Sequence, residues 1–170
     1  MPTVNKRHVW YLRKIPALAV LPRAALDELA GVAELRERPR KTCLYLAGDA
    51  ADRVFFLHGG RVHALHVTEG SRTISLGMYG PTDVLGDSCL WTVAAREHMA
   101  VAATAVLYTE LPRALLRLVL DDHPAVANLL TEQAIVRRDL VIRRLCVALS
   151  ASVRTRLADM ADSRAAGERL

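Results

Sequence analysis

Hydrophobic and polar positions along the chain follow three successive rhythms. Residues 8–34 read as helix in pieces, broken at Pro16 and Pro22. From Leu21 to Leu35, Ala25, Leu26, Leu29, Val32 and Ala33 recur at three- and four-residue steps, one face of a helix. Pro22 suits its first turn, where a missing N–H goes unfelt. Arg36–Lys41, RERPRK, reads as a charged connector. From Thr42 to Leu111 the rhythm shortens to the apolar runs TCLYLA, RVFFL, RVHALHV, RTISLGMYG, VLGDSCLW and MAVAATAVLYTELP. Between them stand turn-formers such as GDAAD, HGG, TEGS and PTD. Many short strands with regular turns predict an antiparallel roll. After Pro112 the helical period returns in PRALLRLVLDD, and His123–Pro124 opens a longer helix with no Gly or Pro from Ala125 to Leu149. Leu130, Ala134, Val141, Leu145 and Ala148 form a stripe with the spacing of a helix–helix seam, interrupted by Arg137 and Arg138. Ser152–Asp162 reads as a further helix start with Ser152 as its N-cap. The class is α+β: N-terminal helices, an antiparallel β-roll and a long C-terminal helix.

Composition bounds what this fold can be. At 52% hydrophobic residues and a mean hydropathy of +0.16, the chain has ample material for a core. No apolar run reaches membrane-spanning length, and no signal-type apolar core follows the basic N-terminus. The expectation is a cytoplasmic protein with no membrane partner. The formal charge of +5 rests mostly on arginines interleaved with 18 acids, a weak pointer to polyanions. Cys43, Cys89 and Cys146 are odd in number and far apart, as in a reducing compartment, and lack zinc spacing. His63 and His66 fall on opposite faces of one strand by period-two alternation, so they do not share a metal. No nucleophile–base–orienter set or paired carboxylates stand out, so catalysis is not expected. One stretch does combine an acid, a basic group and a close-approach glycine: Gly80–Thr104, with Gly86, Asp87, Arg96 and Glu97.

The order of these pieces, with GDAAD at Gly48–Asp52, VFFLHGGRV at Val54–Val62, ISLGMYGPTDVLGD at Ile74–Asp87, AREH at Ala95–His98, HPA at His123–Ala125 and SVRTRLADMA at Ser152–Ala161, resembles the sensor domain of CRP/FNR-type (catabolite activator type) transcription regulators. The resemblance runs from about Ile15 to Ala161. It implies a double-stranded β-helix (jelly-roll) sensor over residues 1–124, a dimerisation helix over 125–150, and over 151–170 the lead-in to a helix-turn-helix domain absent from this chain. It also implies a homodimer that reaches DNA only through that missing domain, so the chain reads as a sensor fragment of a longer regulator. In the ligand cassette, Gly86 takes the place of the glycine that offers backbone N–H to a phosphate, with Ser88 following in the same segment. Asp87 takes the place of the ribose-binding acid and Arg96 of the phosphate-binding arginine. Arg137 falls where a helix arginine faces the cassette acid.

Departures from the family pattern argue against tight cyclic-AMP binding. Glu97 replaces a phosphate-binding serine. A carboxylate about 4 Å from a phosphate would cost on the order of 4 kcal/mol at an effective dielectric near 20. Asp87 is one methylene short, and the cassette is about one residue shorter than usual between Trp91 and Arg96. Thr82 replaces a turn glycine. Val141 and Ile142 stand where hydroxyls would meet the base, and they cannot satisfy its polar edge. Three occupants are left open: another anion such as a different cyclic nucleotide or dinucleotide, a haem held through Cys89 or His98, or none, with the domain acting as a dimerisation scaffold. An iron–sulfur cluster lacks its four cysteines.

Overall fold

The computed structural model describes residues 6–70, 72–92 and 95–167. Three short helices come first: α1 (Lys6–Leu12), α2 (Pro16–Ala19) and α3 (Arg23–Val32). Eight strands follow: β1 (Glu34–Arg38), β2 (Cys43–Tyr45), β3 (Arg53–Gly59), β4 (Val62–Val67), β5 (Thr73–Tyr79), β6 (Val84–Leu85), β7 (Met99–Ala102) and β8 (Val106–Pro112). The chain ends in α4 (Arg113–Asp122) and α5 (Pro124–Gly167). The strands form two four-stranded antiparallel sheets, ordered β1-β8-β3-β6 and β2-β7-β4-β5. This is the expected α+β jelly-roll with helices at both ends.

Strand β3 explains why VFFL is apolar without alternation. Val54 and Phe56 point out of the roll into a core built with Leu12, Leu18, Leu26, Leu29, Leu111 and Leu116. Phe55 and Leu57 point inward to Tyr45, Val62, Leu85 and Tyr108. A strand buried on both faces loses its polar positions. Each such side chain contributes roughly 1.5–3 kcal/mol by leaving water.

Four expectations need correction. Glu34–Arg38, read in part as a connector, is β1; Arg36 lies opposite Tyr108 and Glu34 opposite Glu110. Its charges are balanced inside the sheet, so a hydrophobicity pattern cannot see it. The run from Met99 to Pro112 is two strands in different sheets. The switch lies under the β3–β4 hairpin, where Gly60 sits at φ +78° and a Cβ there would fall 2.0 Å from the Ala105 carbonyl oxygen. Only Val84–Leu85 of VLGDSCLW is strand; Asp87–Leu90 is a 3₁₀ turn. No helix begins at Ser152, because α5 runs through it without a Gly or Pro to stop it.

The chain divides into two compact units, one reaching to Ala134 and the other beginning at Ile135. Leu130, placed by its spacing in the seam, is 1% exposed and packs with Val126 into the helical core of the first unit. In the second unit, Ile135, Val136, Leu140, Ile142, Leu145, Val147 and Leu149 are exposed large apolar residues.

Candidate functional site

The site is assembled where the cassette closes against the GDAAD turn. Leu85 ends β6, and Gly86 turns the chain at φ +74° into the 3₁₀ turn. Further on, Arg96 is clamped through its backbone: its N–H donates to the Asp49 carbonyl at 2.9 Å, and its carbonyl accepts from Gly48 N–H at 2.8 Å. Ala95 bridges to Ala50 beside it. The Asp49 carboxylate holds the turn by accepting from Leu46 N–H at 2.8 Å.

From this clamp the Arg96 side chain runs inward and is 6% exposed. Nη1 donates to the Gly86 carbonyl at 3.1 Å, and Nη2 donates to the Arg53 carbonyl. The guanidinium lies 4.6 Å from the Tyr45 ring centroid and 5.5 Å from that of Phe55. Its Nε is buried without a hydrogen-bond partner. Gly86 makes this possible, since a Cβ there would fall 2.4 Å from Arg96 Nη1. A cation held by carbonyls and ring faces, with one donor unused, has the chemistry to receive an anion.

Past Arg96 the chain bends through Glu97 and His98 before β7 begins at Met99. Glu97 is exposed, whereas His98 turns inward, its Nε2 3.0 Å from the Tyr45 hydroxyl. The exposed Glu97 carboxylate lies in water, where its repulsion of a phosphate would be screened. Burial, and then the Arg96 charge, hold His98 below the usual imidazole range. Burial likewise pushes the Tyr45 hydroxyl far above its ordinary range, so it stays protonated. Tyr45 and Phe55 have no signal as site residues in the sequence beyond the strand alternation that turns both into the roll, and His98 is singled out there only as a haem donor.

Beside Arg96 lies a cavity of about 210 Å³, bordered by Tyr45, Asp49, Asp52, Arg53 and Glu110. Its far wall is a charge network. Arg53 Nη1 lies 3.0 Å from Glu34 Oε1 and 4.0 Å from Glu110 Oε2. Arg36 pairs with Glu34, and its Nε lies 3.1 Å from Glu110 Oε1. The hydrogen bond from Arg53, more than any other influence, holds the Glu34 carboxyl below its usual range. A wider groove of about 740 Å³ borders Asp52, Arg53, Ala95, Arg113 and Arg117.

Of the other predicted residues, Asp87 is half-buried in the 3₁₀ turn and Ser88 is exposed, its carbonyl capping that turn for Trp91 and Thr92. Arg137 and Val141 lie on α5 beyond Ala134, both half-buried. Ala134 is half-buried, while Leu145 and Ala148 are exposed. The haem donors do not fit that cofactor: Cys89 is 1% exposed, burial pushes its thiol up, and it packs in the helical core, whereas His98 is engaged by Tyr45 inside the roll. Among the described residues, no group of three His, Cys, Asp or Glu could hold a metal ion.

Residues 35–123 match the sequence profile of the cyclic nucleotide-binding domain. An uncharacterized NTE family protein of Mycobacterium tuberculosis is 30% identical over 129 residues, which is 67% of this chain and 22% of that protein. The chain thus spans about a fifth of the length of the curated relatives it matches. The N-terminal domain of a transcriptional regulator from Streptomyces coelicolor superposes with a TM-score of 0.58 at 26% identity, covering 76% of this chain and 92% of that one. The c-di-GMP responsive global regulator CLP of Xanthomonas campestris superposes with a TM-score of 0.65 at 18% identity, covering 73% and 63%.

Proposed function

This chain belongs to the cyclic nucleotide-binding domain family, and on that premise we propose that it is the sensor module of a bacterial regulator whose ligand presents an anionic group to Arg96. The observation that carries this reading is the buried guanidinium resting on Gly86 with its Nε unused. A phosphate entering the cavity would take up that donor and compete with the Gly86 and Arg53 carbonyls for the others. Asp87, at the head of the 3₁₀ turn, would accept from a sugar hydroxyl. The ligand is not cyclic AMP bound in the usual way. A cavity of about 210 Å³ is smaller than the roughly 300 Å³ at which small-molecule pockets begin. Asp49, Asp52 and Glu110 line it, carboxylates that a phosphate would meet on entering. The cavity adjoins the wider groove through Asp52 and Arg53, a ligand reaching Arg96 shifts these walls, and that shift is the signal. The module works as a homodimer through α5, in the cytoplasm, and catalyses nothing itself.

Thermal-shift measurements with cyclic AMP, cyclic GMP and a cyclic dinucleotide test this reading. At least one should raise Tm, with cyclic AMP the weakest. Arg96→Lys keeps the charge but loses the fork, and should reduce the response at least tenfold, about 1.4 kcal/mol. Glu97→Ser should change it little. No shift with any of the three, or an equal shift in Arg96→Lys, would sink the proposal.

A second reading concerns what the module regulates. The mycobacterial relatives are called NTE family proteins, not transcription regulators, and this chain aligns with about a fifth of their length. On that observation the module is attached to a protein of that kind and has no DNA-binding partner domain. The coding sequence after Leu170 decides between them: a helix-turn-helix favours the regulator, and a long unrelated domain favours the second reading.

A further inference from the structure

The charge of this molecule is concentrated in one place. Of its 23 Lys and Arg, five (Lys6, Arg7, Arg13, Lys14 and Arg23) precede Asp27, and none of its 18 Asp and Glu does. The whole formal charge of +5 therefore belongs to the first 26 residues, and the remainder is balanced. Arg23 is answered locally by Asp27, 2.8 Å away.

The other four lie on α1 and the turn that follows it. On α1, Val9 and Leu12 are buried against the helical core. Lys6, Arg7, Trp10, Arg13 and Lys14 are exposed and recur at three- and four-residue steps, so they share the opposite face. Trp10 stands at the middle of this face, 53% exposed, with the Lys14 ammonium 3.6 Å from its ring centroid. Arg7 lies over the Tyr11 ring at 5.9 Å. The helix is thus seated on its own domain by one side and offers solvent a face of cations around an indole.

We propose that this α1 face docks the domain onto an anionic phospholipid surface. Lysines and arginines meet the lipid phosphates, and the amphipathic indole of Trp10 sits at headgroup level. Lipid is the partner that uses every part of the face. A nucleic-acid duplex would answer the cations with its phosphates but offers Trp10 no apolar layer, whereas the headgroup region of a bilayer does both. The geometry needs no spanning segment, and no described helix is long and apolar enough to cross a membrane. The expectation of no membrane partner rested on the lack of a spanning run and of a signal-type apolar core, neither of which bears on surface docking. Lying on a surface needs only apolar area with charge around it.

Co-sedimentation of the intact chain with vesicles tests the proposal. Vesicles with about 30% phosphatidylglycerol in phosphatidylcholine should carry the protein down at about 0.1 M salt, and raising the salt severalfold should release it. Pure phosphatidylcholine vesicles should bind far less. At roughly fivefold per cation, the double variant Arg13→Gln, Lys14→Gln should bind about 25-fold more weakly. All the altered groups are exposed, so an unchanged Tm separates lost docking from lost folding. In a Trp91→Phe background, Trp10 fluorescence should shift to the blue on anionic vesicles and be quenched by brominated acyl chains. Three outcomes overturn the proposal: no sedimentation with anionic vesicles, equal binding by the double variant, or a single-stranded oligonucleotide displacing the protein from vesicles at matched phosphate concentration.

Discussion

A methyl group at position 86 would collide with a guanidinium, and this single contact ties the cassette to its function. Gly86→Ala would force a side chain into the left-handed region at φ +74° and place its Cβ 2.4 Å from Arg96 Nη1. Arg96 cannot retreat easily, because it rests on the Tyr45 ring and its backbone is held by Gly48 and Asp49. The variant should lose about 3 kcal/mol, part from backbone strain and part from a buried cation displaced from its carbonyls. Urea unfolding monitored by circular dichroism measures this, and a loss under 1 kcal/mol would mean that Arg96 is free to move. At this scale the sequence was partly legible. Gly86 and Arg96 announced themselves as residue types. Residue type did not reveal that two adjacent charged residues differ in burial, Arg96 buried and Glu97 exposed.

The elements were legible wherever burial follows hydrophobicity, and illegible where charges are satisfied inside the fold. Strand β1, ELRER, has one apolar residue in five, yet it pairs along its length with β8 because Glu34 and Arg36 find Arg53 and Glu110. The docking of α1 on β8 depends on another concealed polar group. His58 Nε2 lies 2.7 Å from Thr109 Oγ1, its ring is 4.7 Å from that of Tyr11 on α1, and its Nδ1 is buried without a partner. Burial, helped by the Lys14 charge, lowers its pKa from 6.5 to about 4. The folded state thus resists protonation that the unfolded chain accepts. This contribution is complete above pH 6.5 and is lost as pH falls towards 4. His98 titrates in the same direction, held down by burial and Arg96. Urea midpoints at pH 7 and pH 4.5 should therefore differ strongly in the wild type and distinctly less in His58→Gln. Equal pH sensitivity in the two would assign the effect to other groups.

For the whole molecule, apolar periodicity was enough to foresee a roll between helices, but the second unit carries an apolar surface that one chain does not use. At 100° per residue, Val141, Ile142, Leu145, Ala148 and Leu149 fall within about a third of the circumference of α5. Ile142, Leu145 and Leu149 are exposed on the single chain. Leu130 shares the spacing of this stripe, but spacing alone does not say which neighbour a face meets, and Leu130 is consumed by its own core. The seam of the proposed homodimer is therefore the part beyond Ala134. Two copies paired along it would bury three large apolar side chains each, at roughly 1.5 kcal/mol or more per side chain before the cost of association. The chain should sediment as a dimer at micromolar concentration. Leu145→Asp puts a charge at the centre of the stripe and should shift it to monomer, with an association constant reduced at least a hundredfold. Because Leu145 lies outside the unit that ends at Ala134, the α1 and roll core should unfold at the same urea concentration in variant and wild type once both are monomeric. A wild type that stays monomeric at 100 times that concentration would leave the exposed stripe of α5 to some other partner.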